Sequence, residues 1–319
     1  MTPAELRESL ERGATLPADW YADPAILRLE RERIFARAWQ YAGRLDLVAE
    51  AGDFFTCSAG HVPVVVVRGR DGELRGFVNV CRHRGHIVAD GAGHRETLQC
   101  RYHAWTYDLD GSLRAAPRSE REPGFDATAF SLLPVRVESW GPIVFVTPAP
   151  EAGPLADALG DLPALVAESG LDLARLQFRE RVDWEVKANW KIGIENYLEC
   201  YHCPVAHPGF SKVMDVDPDA YLLRSHGVCS TQLAPVKESA RTGNGPAYVS
   251  NGAVTQAQYH FVWPNTTINV EAGPVNMSVD ISRPGGAERT VGLTDYYFAD
   301  DVDDETAHAI MAFANQVGA

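Results

Sequence analysis

The chain has 319 residues, enough to bury a substantial core and to hold two domains. Its net charge of −14 argues against nucleic acid as a partner, since phosphate binding needs a basic face. The charged N-terminus lacks an apolar signal core and the longest apolar run, Val62 to Val67, is far too short for a bilayer, so its six cysteines read as ligands or buried thiols of a cytoplasmic protein.

Asp23-Pro24 is a helix start, a cap followed by proline in the first turn. Ile26, Leu27, Ile34, Phe35 and Trp39 follow at near-helical spacing. From Tyr41 to Pro148 the texture turns to short β runs, with Val62 to Val67 as a buried strand and Asp71-Gly72 and Asp110-Gly111 as turns. Gly153 to Leu176 reads as helical through Leu155, Leu159, Leu162, Leu165 and Val166. A strand over Arg181 to Val186 and a helix from about Trp190 come next. Alternation then places Ala257, Tyr259, Phe261 and Trp263 on one strand face and Val275, Met277, Val279 and Ile281 on another. Asp304 to Ala319 predicts a helix. The fold class is α+β, with a helical lead-in over 1–40, a small β domain over 41–150 and a larger sheet-plus-helix domain over 151–319.

The strongest motif lies in the small domain. Cys81-Arg82-His83 and Cys100-Arg101-Tyr102-His103 are separated by sixteen residues. Each loop contributes one thiolate and one imidazole, the mixture that a [2Fe–2S] cluster with Cys₂ on one iron and His₂ on the other requires. Glycines at 85, 91 and 93 let the loops wrap closely, and Trp105 is placed to cover the cluster. A tetrahedral zinc site also uses four N/S ligands, but zinc fingers group cysteines and histidines separately, whereas both lobes here are mixed. His86 and His94 lack the paired spacing and read as solvated loop residues.

The second constellation runs from Glu195 to His207. His202 and His207 are five apart, and on an unbroken helix they would not share a face. Pro204 is expected to break or kink the helix and let the rings converge. Two histidines and a carboxylate on one face form the Fe(II) arrangement that activates O₂. Cys200-x₂-Cys203 leaves a zinc or redox reading open; with the upstream motif, buried helix residues are the better reading.

Cys81-x-His83 with Cys100-x₂-His103 in a β domain resembles the Rieske domain of ring-hydroxylating and related oxygenase α subunits, with Arg101 where proline is frequent. The resemblance covers nearly the whole chain. It implies an all-β Rieske domain inserted in a helix-plus-antiparallel-sheet catalytic domain of the START/Bet v1 kind. It also implies a Rieske cluster on Cys81, His83, Cys100 and His103, and a mononuclear Fe(II) on His202 and His207. Glu199 is implied as the carboxylate linking the iron's histidine to the Rieske histidine of a neighbouring subunit in a homotrimer. The run Glu199-Cys-Tyr-His-Cys-Pro204 looks more like the quaternary-ammonium branch than the ring hydroxylases.

The family's third iron ligand is an Asp beyond a run similar to Phe313 to Ala319, so the chain is expected to be truncated before it. Asp300, Asp301, Asp303 and Asp304 read instead as a helix-start acidic cluster. The implied activity uses O₂ and electrons from an NAD(P)H-dependent reductase, with or without a ferredoxin, to hydroxylate a small substrate, foremost by N-demethylation of a quaternary ammonium compound. An aromatic ring-hydroxylating dioxygenase and a Rieske electron carrier are the alternatives. Tyr197, Tyr201, Phe210, Phe261 and Trp263 are the candidate pocket aromatics.

Overall fold

The computed structural model describes residues 3–241 and 252–316. Helices α1 (Pro3–Glu11), α2 (Asp19–Ala22) and α3 (Pro24–Glu30) lead in, and the Asp23 side chain accepts from the Ala25 amide at 2.7 Å to cap α3. Proline at the first position suits that cap, since its missing N–H would have no partner there.

Ten strands build the small domain: β1 (Gln40–Arg44), β2 (Asp53–Ala59), β3 (Val62–Arg68), β4 (Leu74–Val78), β5 (Ala92–His94), β6 (Leu98–Gln99), β7 (Thr106–Tyr107), β8 (Leu113–Ala115), β9 (Pro134–Trp140) and β10 (Ile143–Thr147). They form a seven-stranded sheet, β1-β10-β9-β4-β3-β2-β5, and a three-stranded sheet, β6-β7-β8. Val64 to Val67 are fully buried. A strand covered on both faces needs apolar residues without alternation, which is what β3 supplies.

The helical stretch expected over Gly153 to Leu176 divides into α4 (Leu155–Leu159) and α5 (Leu162–Glu168). Gly160 lies between them with φ +54°, a conformation that ends a helix cleanly. The larger domain is a seven-stranded antiparallel sheet, ordered β11-β17-β16-β15-β14-β13-β12. Its strands are β11 (Leu176–Val186), β12 (Leu222–His226), β13 (Cys229–Ala234), β14 (Ala257–Val262), β15 (Thr266–Val270), β16 (Asn276–Gly286) and β17 (Arg289–Ala299). Helices α6 (Trp190–Tyr197), α7 (Cys203–Ala206), α8 (Pro208–Val213), α9 (Glu238–Arg241) and α10 (Asp304–Asn315) complete it. No helix among the described residues is long and apolar enough to cross a membrane.

Strand register assigns the two faces of this sheet. Tyr259 pairs with Asn269, Asn269 with Ser278, and Ser278 with Tyr296, so these share the front face. The next row, His260, Ile268, Val279 and Asp295, belongs to the back. The back face packs on α4, α5 and β1: Gln258 donates to the Leu165 carbonyl and Tyr41 to Asp295. The front face is roofed by α6 and α10, through Tyr197 to Asn269 at 2.7 Å and Tyr296 to Asn315 at 2.9 Å.

Candidate metal centres

Two tight loops meet at one end of the small domain. The Cys81 amide donates to the His86 carbonyl, and the Gly85 amide returns to the Cys81 carbonyl in a turn that takes Gly85 to φ +71°. In the second loop the Cys100 amide donates to Trp105 and the Ala104 amide to Cys100. Cys81 and Cys100 are buried, and their thiols lie within hydrogen-bonding reach of each other. His83 and His103 reach outward with ring centroids 4.6 Å apart, edge to face. Trp105 stacks on His83 at 4.8 Å.

This convergence fits the cluster anticipated from the spacing, with buried sulfurs on one side and accessible imidazoles on the other. Burial, then the neighbouring His103 and Arg84, pushes the His83 pKa down and so favours the neutral, ligating ring. Burial pushes the Cys100 thiol up. Tyr107, which the spacing did not single out, places its hydroxyl 3.3 Å from the Cys81 sulfur and accepts the Arg82 amide at 3.0 Å. Its signal is a tyrosine two residues beyond Trp105 on the strand leaving the second loop. His86 and His94 are exposed; His94 bonds to Asp53.

Contrary to expectation, no helix runs through both histidines for Pro204 to break or kink, because the chain leaves α6 before His202. Helix α6, capped by Asn189, stops at Tyr197, and residues 198–202 form a turn. Pro204 lies in the first turn of the one-turn α7, which Cys203 begins, because proline suits a first turn and not an interior. His202 and His207 flank α7, which brings their rings to 5.0 Å at 77°. Glu199 lies in the preceding turn. Its carboxylate accepts from His202 Nδ1 and from the Tyr201 and His202 amides. Burial tends to raise Glu199, but these bonds outweigh it and hold the carboxyl below its usual range. Burial, then His202, lowers His207. Cys200 and Cys203 are buried as expected, but they are joined in a disulfide and only Cys203 belongs to a helix.

Among the described residues no three His, Cys, Asp or Glu side chains form one metal-binding group. A [2Fe–2S] centre divides its ligands two per iron, and the second centre has two histidines among the described residues. Asp303 caps α10 and Asp304 opens its first turn while pairing with Arg179, whereas Asp300 and Asp301, expected in the same helix-start cluster, pair instead with Arg175 ahead of β11. The C-terminal residues 317–319 lie outside the described residues.

The candidate aromatics disperse. Tyr197 is half-buried on the front face, and Phe210 packs on Tyr259 at 5.7 Å. Tyr201 is 97% exposed. Phe261 is buried with Phe35, Trp190 and Ile194, a cluster against which Tyr197 also packs, and Trp263 lies beside Trp39 and Arg33.

Residues 38–137 match the Rieske [2Fe-2S] domain, and residues 173–319 match the ring hydroxylating alpha subunit (catalytic domain). The chain is 36% identical over 293 residues to the carnitine monooxygenase oxygenase subunit of Escherichia coli (strain K12), across 90% of this chain and 75% of that one. It is 33% identical over 312 residues to the chloroplastic choline monooxygenase of Arabidopsis thaliana, across 93% and 71%. It superimposes on the crystal structure of the quaternary ammonium Rieske monooxygenase CntA, bound to an inhibitor, with a TM-score of 0.83 and 30% identity, covering 95% of this chain and 82% of that one.

The chain belongs to the Rieske oxygenase α subunits. It falls in their quaternary-ammonium branch. As a Rieske oxygenase it works with a [2Fe–2S] cluster and a mononuclear iron, and as the oxygenase component it depends on a reductase and on O₂. The α+β class read from the alternating patterns agrees with the fold of this Rieske oxygenase.

Proposed function

We propose that the protein hydroxylates an N-methyl group of a quaternary ammonium compound, with Cys81, His83, Cys100 and His103 holding the cluster and His202 and His207 holding the iron. When bound, the two centres supply single electrons and a site for reducing O₂. The rest is the work of side chains. The observation that carries the reading is Glu199, whose carboxylate fixes the His202 ring through Nδ1 and leaves Nε2 free to ligate, with the His207 ring 5.0 Å away. A carboxylate so bonded, in a solvent-accessible turn, also suits a bridge to the cluster of a second subunit, and with it a homotrimer fed by an NAD(P)H-dependent reductase.

Tyr197 supports the substrate class. Its hydroxyl donates to Asn269, which leaves the ring face electron-rich for a trimethylammonium group. Phe210 and Tyr259 extend the aromatic wall. Overall, one O₂, two electrons and two protons convert N–CH₃ to N–CH₂OH and water; the carbinolamine then releases formaldehyde, leaving the tertiary amine and a proton. The test is formaldehyde release and O₂ uptake by the holoenzyme and a reductase on a panel of N-methyl ammonium and aromatic compounds. Formaldehyde matching O₂ consumption is expected with the ammonium compounds. Diol formation from the aromatic members alone would replace this reading.

A further inference from the structure

The front face of the catalytic sheet turns two carboxylates inward. Glu271, just past β15, is 5% exposed, and its Oε2 accepts the Tyr259 hydroxyl at 2.9 Å. Asp280 on β16 accepts from Asn269 at 2.8 Å, from Thr267 at 3.2 Å and from Thr294. Neither has a Lys or Arg partner among the described residues. The front-face positions of β13 to β16 carry no basic residue, because Arg283, the one arginine in these strands, points to the back.

Three tyrosines surround this charge. Tyr197 and Tyr296 lie within electrostatic reach of both carboxylates, and Tyr221 is reached by both Glu271 and Glu199, which joins the acidic region to the turn that carries His202. Tyr197, Tyr259, Asn269 and Asp280 are partly accessible, so this face is not fully closed off by the elements packed on it. Burial pushes Glu271 up to about 7 and Asp280 up to about 6. A carboxylate removed from water with no opposite charge is unfavourable, and an arriving cation relieves that penalty. A neutral zwitterion relieves it less, since its own carboxylate finds no basic partner on this face.

We propose that Glu271, beside Tyr197 and backed by Asp280 through Asn269, is the counter-ion of the substrate's ammonium group, and that the enzyme prefers quaternary ammonium compounds of net positive charge, such as ammonium alcohols, over carboxylate-bearing zwitterions. This rests on the quaternary-ammonium reading above and names the class within it, where relatives include both a carnitine and a choline enzyme.

The test is calorimetric binding of choline, carnitine and glycine betaine to the holoenzyme, wild type and Glu271→Gln. Choline is expected to bind about tenfold tighter than either zwitterion, and Glu271→Gln to weaken choline about tenfold while moving carnitine about twofold or less. The glutamine still accepts the Tyr259 hydroxyl, so the local bond survives. Zwitterions binding as tightly as choline in the wild type would overturn the proposal whether or not the variant folds. So would a folded variant with an unchanged ranking. If none of the three binds the wild type, the quaternary-ammonium reading itself fails and this proposal falls with it.

Discussion

Asp295 and Glu271 come from opposite faces of one sheet, and both are removed from water; they differ in what answers their charge. Arg181 meets both oxygens of Asp295 at 2.6 Å, and the Tyr41 hydroxyl adds a third bond at 2.5 Å. Glu271 has a single phenol. A buried carboxylate closed by a guanidinium fork is complete without a ligand. One held by a neutral hydroxyl is left able to respond to a cation. The back-face carboxylate therefore belongs to the fold and the front-face one to the site.

The largest loss is expected of Arg181→Met. It leaves Asp295 buried without its cation, and we expect a loss of about 3 kcal/mol in urea unfolding, toward the low end for a buried pair because Arg181 partly reaches solvent. A loss below about 1 kcal/mol would mean that Asp295 needs no pair. On the front side the expected losses are in function. Glu199→Gln should retain both metals yet lose up to about 100-fold in steady-state turnover, the scale of a removed support behind a ligating histidine. Single-turnover reoxidation of the cluster at the wild-type rate would show that Glu199 neither orients His202 nor bridges subunits.

The pH dependence is smaller and its sign is fixed. Burial raises Glu271 to about 7 in the folded protein from its ordinary value of 4.5, so between those values the native state holds a proton that the unfolded state has lost. Its contribution to stability therefore falls as pH rises through this window, by up to about 2 kcal/mol after allowance for relaxation. Asp280 and the tyrosines at 197, 221, 259 and 296 face the same region. Subtracting wild type from Glu271→Gln isolates the one group. The midpoint difference should be more positive for the variant at pH 8 than at pH 5, and choline should bind wild type more tightly at pH 8 than at pH 6. A flat difference would place the titration elsewhere. The smallest effect is expected of Tyr197→Phe, which removes the bond to Asn269 and should weaken choline by about 1 kcal/mol, about fivefold; an unchanged affinity would show that the hydroxyl does not tune the ring.

The cluster loops were legible because their residues are close in sequence and their chemistry is set by residue type. Paired Cys and His at short spacing leave few alternatives. The histidine segment was legible in its residues and not in its shape: Pro204 marks a break, but whether it kinks one helix or lies in the first turn of another depends on the 198–202 turn and the Glu199 bonds within it. Glu271 and Asp280 were not legible at all. Their company arises from the register of β14 through β17, and a shift of one residue would send Asp280 to the back. The same dependence dispersed the aromatics. Phe261 and Trp263 alternate with their neighbours as expected, yet the strand carries them into a packing cluster and toward Trp39.

Strand β1 has a mechanical consequence. It pairs with β10 in the cluster-bearing domain, while its Tyr41 amide donates to Thr266 at 3.3 Å and its Tyr41 hydroxyl meets Asp295 and Tyr297 of the other sheet. Arg44, at the end of the same strand, lies 3.5 Å over the ring of Phe178 on β11. One five-residue segment thus rivets the two domains, and a hinge between them would have to break a buried charged bond before it could turn. The cluster end and the histidine end of a single chain move as one body.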